Sequence, residues 1–295
     1  MNYFWTNTIW YVLLGILTLI ELIFVMVRVE NRKLTIAFYL TLLGIVLHFE
    51  TIIFIFMDAY AYYPMIIKNP PMPIDDMLMG NLFSQTSVSA TALLVAVLNL
   101  KYYWFIIFAV MYGIIEELFL SLGIYSHNWY QTWMTVISLP IYFWVAKKMY
   151  EKIIRGIKPL FYYGYIYLGL FLPSSATLTH MFFILTRHQD FNATLFPDPV
   201  TSRFLIFWVH FHLLSIPIML IYFLRFNFIW KALVIIALYI IYYIGYKLNL
   251  IWIKEGWFLP VSTANIFGMY LSVVILDKLY DSNRKQKHDR KSKIN

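Results

Sequence analysis

Apolar residues come in long runs along this chain rather than in alternation. Stretches such as "IWYVLLGILTLIELIFVMV" and "YYWFIIFAVMYGIIEELFL" carry Leu, Ile, Phe and Val with no period of two. A run of roughly 20 apolar residues crosses a hydrocarbon layer of about 30 Å as a helix, and the missing alternation argues against a membrane barrel. The pattern predicts an all-α, polytopic integral membrane bundle of nine helices, at about 9–27, 34–57, 84–99, 102–122, 131–146, 160–186, 203–224, 232–250 and 257–276. The third is short and opens in polar residues, so a full crossing and a re-entrant segment both fit it.

Composition agrees: of 295 residues, 61% are hydrophobic and 13% charged, which no water-soluble core requires. Cysteine is absent, which excludes disulfides, thiolate metal ligands and a thiol nucleophile. The first helix follows no basic n-region and no small-residue cleavage site, so it is expected to stay. The expected organisation is one transmembrane domain over 1–277 with a Pro-rich outer loop at 58–83, then a basic, disordered tail at 278–295. No internal repeat is visible.

The charge of +8 is distributed as membrane topology requires. With nine crossings, 18 of the 23 Lys and Arg residues fall on one side, among them Lys147, Lys148, Lys152, Arg155 and those from Lys278 onward. Only Lys68, Arg187, Arg203, Lys247 and Lys254 fall on the other. Cytoplasmic loops are rich in Lys and Arg, which puts the N-terminus outside and the C-terminus inside. The expected partners are membrane lipids, with anionic headgroups at the tail. No spaced aromatic set suits nucleic acid.

Ionisable residues inside a membrane are costly and concentrate at functional sites. Counted inward from the outer helix ends, Glu50, Glu116, His180 and His210 share a depth of roughly 10 to 12 Å at 1.5 Å per residue. Glu117 lies about 100° from Glu116 and is expected at the same cavity edge. His212 is two residues from His210, as Glu50 is from His48, so one member of each pair at most faces a common site. Glu21 lies nearer the inner face, as a packing partner or inner gate. Pro173 makes "FLPSSATLTH" the best candidate for a broken helix.

Imidazoles with carboxylates can hold a divalent metal, with Glu50, His180, His210 and His212 as candidate ligands, not all at once, and Glu116 and Glu117 as catalytic acids. The first functional reading is therefore a metal-assisted membrane enzyme acting on lipid or a lipid-linked substrate. A proton- or cation-coupled transporter or channel uses the same groups, and an envelope protein of structural or interaction type uses them only for packing.

The segment "YYWFIIFAVMYGIIEELFLSLGIYSHNWYQTW" resembles multi-pass membrane proteins of Bacillus-type bacteria of uncharacterised activity, which implies a bacterial plasma membrane. A comparison with CAAX-type intramembrane proteases fails, because Ser121 stands where their Glu-Glu-x-x-x-Arg motif needs arginine.

Overall fold

The computed structural model describes residues 3–224 and 226–292, with the side chains of Pro159 and 282–292 excepted. Among the described residues nine α-helices and four short strands follow one another. They are α1 (Ile9–Arg28), α2 (Arg32–Glu50), β1 (Tyr60–Tyr62), α3 (Pro73–Val97), α4 (Tyr102–Ser121), β2 (Tyr125–His127) and α5 (Thr132–Arg155). After these come α6 (Pro159–Gly169), β3 (Gln189–Phe191), α7 (Pro199–Phe223), α8 (Phe228–Lys247), β4 (Ile251–Ile253) and α9 (Phe258–Ser292). Two helices widen into π-helix before a strand, α2 through Thr51–Phe56 and α6 through Phe171–Ile184.

Among the described residues seven helical stretches are long and apolar enough to cross a membrane: Phe4–Arg28, Arg32–Phe56, Tyr102–Ser121, Leu160–Ile184, Pro199–Phe223, Phe228–Lys247 and Phe258–Asp281. Helices α3 and α5 fall short in hydropathy, not in length, with 25 and 24 residues. The expected loop 58–83 and short span 84–99 need correcting here. Helix α3 begins at Pro73, at the first helical position where proline's missing N–H costs nothing. Asp75 accepts the N–H of Met72, and Asp76 accepts those of Met65, Ile66 and Ile67, which ties the remaining loop to the helix start. The polar residues that disguise α3 in the sequence, Asn81, Gln85, Ser87, Ser89 and Thr91, are buried against neighbouring helices.

The chain forms two compact units where the sequence pattern predicts one domain: residues 1–165 with 279–295, and residues 166–278. The boundary falls inside α6, with no composition change to mark it. In the first unit α3 is central and packs against α1, α2 and α5, while α4 packs against α5. The tail leaves as a continuation of α9 as far as Ser292. The anionic-lipid contact expected of it rests on side chains that lie outside the described residues.

A repeat joins the two units in design. Adding 126 to the first residues of α3, α4, β2 and α5 (73, 102, 125 and 132) gives those of α7, α8, β4 and α9 (199, 228, 251 and 258). Strands β1 and β3 correspond at 129, the loop after β3 being three residues shorter. Each unit pairs its strands antiparallel, Tyr60 opposite His127 and Gln189 opposite Ile253. Matching hydrogen bonds recur outside the ladders: Asn128 N–H to Ala59 O and Lys254 N–H to His188 O, both at 3.0 Å. The turn after α4 needs a left-handed residue, met by Gly123 (φ 67°); Asn249 (φ 54°), the commonest substitute for glycine there, meets it after α8. Identities are few, among them Pro73 with Pro199 and Trp104 with Trp230.

In place of a broken helix at "FLPSSATLTH", the backbone stays continuous as π-helix. Pro173 cannot donate to an α-helical ladder, and Ser174 Oγ donates back to Leu170 O at 2.5 Å.

Candidate functional site

The first unit encloses a cavity of about 340 Å³. Glu50 enters it from the last turn of α2 and Glu116 from α4, and six tyrosines, Tyr60, Tyr62, Tyr112, Tyr125, Tyr130 and Tyr142, line it. Two acids from helices far apart in sequence thus share one wall system. Among the described residues no Lys or Arg lines it.

The π-helical segment after Glu50 leads the chain into β1, which brings Tyr60 back over the carboxylate. Tyr60 OH and Asn81 Nδ2 both donate to Glu50 Oε2 at 2.5 Å. Burial pushes the Tyr60 phenol up, as does the neighbouring Glu50 charge, so it keeps the proton it donates. Glu50 is only 7% exposed, and its described donors are neutral. Oε1 takes no described hydrogen bond and is the atom left for the cavity.

Glu116 is held differently. The turn at Gly123 folds β2 back toward α4, so that His127 Nε2 meets Glu116 Oε1 at 2.7 Å. Thr135 Oγ1 of α5 donates to Oε2 at 2.6 Å. Glu117 does not reach the cavity. It is exposed and accepts from Thr132 at 2.5 Å. One helix face is buried here, and a step of 100° carries Glu117 off it.

The strand pair closes one end of the cavity. Tyr60 stacks on Phe54 at 5.5 Å, Tyr62 lies 5.0 Å from Tyr125, and Trp129 Nε1 donates to Met57 O at 2.7 Å. Toward the other end a hydrogen-bonded chain leaves the cavity wall. Tyr112 OH lies 2.8 Å from Thr91 Oγ1, and Thr91 donates to the Glu21 carboxylate at 2.8 and 3.0 Å. Thr91 has one proton to give, and it goes to Glu21, so Tyr112 donates to Thr91. Glu21 is therefore coupled to the cavity rather than a lone packing residue.

The histidines singled out by depth belong to the second unit. His210 is buried between the rings of Phe191 and Tyr242, at 5.3 and 5.2 Å, and its Nε2 has no described hydrogen-bond partner. His212 turns the other way, its Nδ1 hydrogen-bonded to Tyr167 OH and its ring 4.6 Å from Trp208. His180 is buried in the π-helical segment, 6.5 Å from Phe204. Among the described residues no three His, Asp or Glu side chains gather into a group that could hold a metal ion. Of the expected ligand set, Glu50 belongs to the first unit and His180, His210 and His212 to the second.

At the positions matching the acids, the second unit holds a neutral network. Thr179 corresponds to Glu50, Gln189 to Tyr60 and Tyr242 to Glu116. Thr179 donates to Asn265 Oδ1 at 2.7 Å, and Gln189 Oε1 accepts from Tyr242 OH at 2.8 Å and from Asn265 Nδ2 at 3.1 Å. Beside it Arg203, 1% exposed, holds both oxygens of Asp190 at 2.6 and 3.2 Å. Asn81, Thr91, Tyr112 and His127 are the site residues that sequence reasoning missed. Only His127 carried a signal, as an imidazole placed just past a turn that reverses the chain.

Comparison with protein-family models, with curated proteins and with solved structures finds no match.

Proposed function

We propose that the chain is a nine-span protein of a bacterial plasma membrane, N-terminus outside and C-terminus inside, that works as a proton-coupled transporter through its first unit. The distribution of Lys and Arg supports the orientation. The repeat supports nine crossings. Helices α3 and α5 match α7 and α9 in register, both of the latter are apolar enough to span, and the polar groups of α3 are buried against other helices.

One observation carries the transport reading: acids at two depths in one unit, joined by hydroxyls. Glu50 and Glu116 face the cavity toward the outer ends of their helices, and Glu21 lies seven residues from the inner end of α1 at Arg28. Tyr112 and Thr91 bridge from the cavity to Glu21. A cavity of this size with carboxylates in its wall holds water, which completes a path for protons.

Proton flux across reconstituted vesicles tests this with a pH-sensitive dye inside. Thr91→Val keeps the shape and cuts the chain, and is expected to slow flux on the order of a hundredfold, the scale of a positioned proton-transfer group. Glu50→Gln is expected to do the same, and Glu117→Gln to do nothing. No flux under any imposed gradient, or flux indifferent to Thr91→Val, overturns the reading.

A further inference from the structure

The cavity is closed toward the strand pair but not toward its flank. Two of its wall residues are also on the surface of the bundle: Phe49 of α2 is 51% exposed and Ile141 of α5 is 59% exposed. Helices α2 and α5 both pack on α3 and hardly on each other. They are tied where Tyr142 OH donates to Leu42 O at 3.1 Å and where Phe38 meets Tyr150 at 5.3 Å. Phe49 and Ile141 carry the apolar part of the cavity wall out to the surface of the bundle, on helices read here as membrane-spanning. An occupant arriving there comes from the bilayer.

The chemistry inside then selects among lipophilic molecules. Lys and Arg are missing from the described wall, so phosphate or carboxylate headgroups meet no positive charge and face two acids. Glu116 has His127 as a partner that can carry the opposite charge. Among the described residues Glu50 has only Tyr60 and Asn81 as hydrogen-bond partners, both neutral. An unpaired carboxylate 7% exposed in a membrane bundle is offset either by a proton or by a cation brought to it. The surrounding tyrosine faces attract cations as well. A volume of about 340 Å³ is at the lower end of what drug-sized ligands fill, which suits one compact amphiphile and not a two-chain lipid.

We infer that the cavity of the first unit takes lipophilic amines in their ammonium form, entering sideways from the bilayer between α2 and α5, with Glu50 as the counter-ion. This rests on the transport reading only for its consequence: amine and proton then compete for Glu50, which is how their movements couple.

The test uses the full-length protein in lipid nanodiscs and three photoreactive probes with the same short alkyl chain, ending in ammonium, carboxylate or hydroxyl. The ammonium probe is expected to label peptides containing Phe49, Tyr60 or Tyr130 at least about tenfold more than the carboxylate probe, the scale of one lost charge-assisted contact. Glu50→Gln is expected to remove that preference. Ile141→Trp, which narrows the cleft from the lipid side, is expected to reduce labelling, and Leu19→Trp, an equally bulky change on exposed α1, to leave it unchanged.

Equal labelling by ammonium and carboxylate overturns the ligand class. Labelling untouched by Ile141→Trp overturns the lateral route. Should Glu50→Gln fail to fold, the comparison of probes on the parent protein and the Ile141→Trp variant still decides both. Ammonium labelling without any proton flux sinks the coupled transporter and leaves the amine site standing; proton flux without ammonium preference does the reverse.

Discussion

The two units run the same order of helices and strands through nearly the same residue spacing and reach opposite results at matching positions. In the first, Glu50 and Glu116 stand in a cavity, and Glu50 is left with an oxygen that no described side chain engages. In the second, Thr179, Gln189 and Tyr242 occupy those positions, and Asn265 stitches them into a buried network. The contrast separates two uses of polarity inside a membrane. A network of neutral donors and acceptors pairs with itself and rigidifies the core, Gln189 Nε2 alone among these side chains lacking a described partner. A buried carboxylate without a charged partner stays open to a proton or a ligand. The backbone design is indifferent to which use is made of it.

That comparison is most strongly challenged by breaking the second unit's ion pair. Asp190→Ala leaves Arg203 buried without its carboxylate and is expected to cost about 3 kcal/mol, read as a drop in the denaturation midpoint, with faster hydrogen exchange confined to β3 and α7. Next, Thr179→Val removes the donor to Asn265 and is expected to cost about 2 kcal/mol while proton flux holds. Its counterpart Glu50→Gln is expected to change stability little and to slow flux on the order of a hundredfold; effects in the same sense at both positions would erase the division of labour. Tyr242→Phe, which strips Gln189 of a donor, is expected to cost about 1.5 kcal/mol in the same denaturation assay.

The smallest effect lies at the start of α7. Asp198 caps the helix by accepting from Thr201 N–H at 2.8 Å and Val200 N–H at 3.3 Å. Hydrogen bonds from Thr201, side chain first and then backbone, hold this carboxyl below the ordinary Asp range. Its stabilisation is therefore complete above the usual Asp pKa near 3.9 and fades as pH falls through the lower folded value. Asp198→Ala is expected to cost about 1 kcal/mol at neutral pH and nothing further below that window. The matching cap, Met72, has no carboxylate of its own and borrows Asp75 from the next turn.

The helices were legible because unbroken apolar runs carry that signal residue by residue. Counting from helix ends places Glu50 and Glu116 at one level, and a shared cavity is where both are found. Depth alone cannot say which helices are neighbours, and the histidines at the same level belong to the other unit. Helix α3 misleads because its polar residues are buried inside the protein, where hydropathy reads them as a loop. The repeat is hidden because Leu, Ile, Val and Phe replace one another freely on lipid-facing surfaces, leaving spacing as the trace. Thr91, Tyr112 and Asn81 are neutral and singly placed, so nothing in the chain marks them before their partners are known.

The π-helical segment between Glu50 and β1 also sets a phase. Each residue of a regular helix turns the chain by about 100°, and a π turn holds one more residue than an α turn. Deleting a single residue within Thr51–Phe56 would let the helix tighten to its regular form. Tyr60 would then leave that turn on a different bearing, away from Glu50. A helix that looks better made on paper would thus unlatch the lid from the acid it covers.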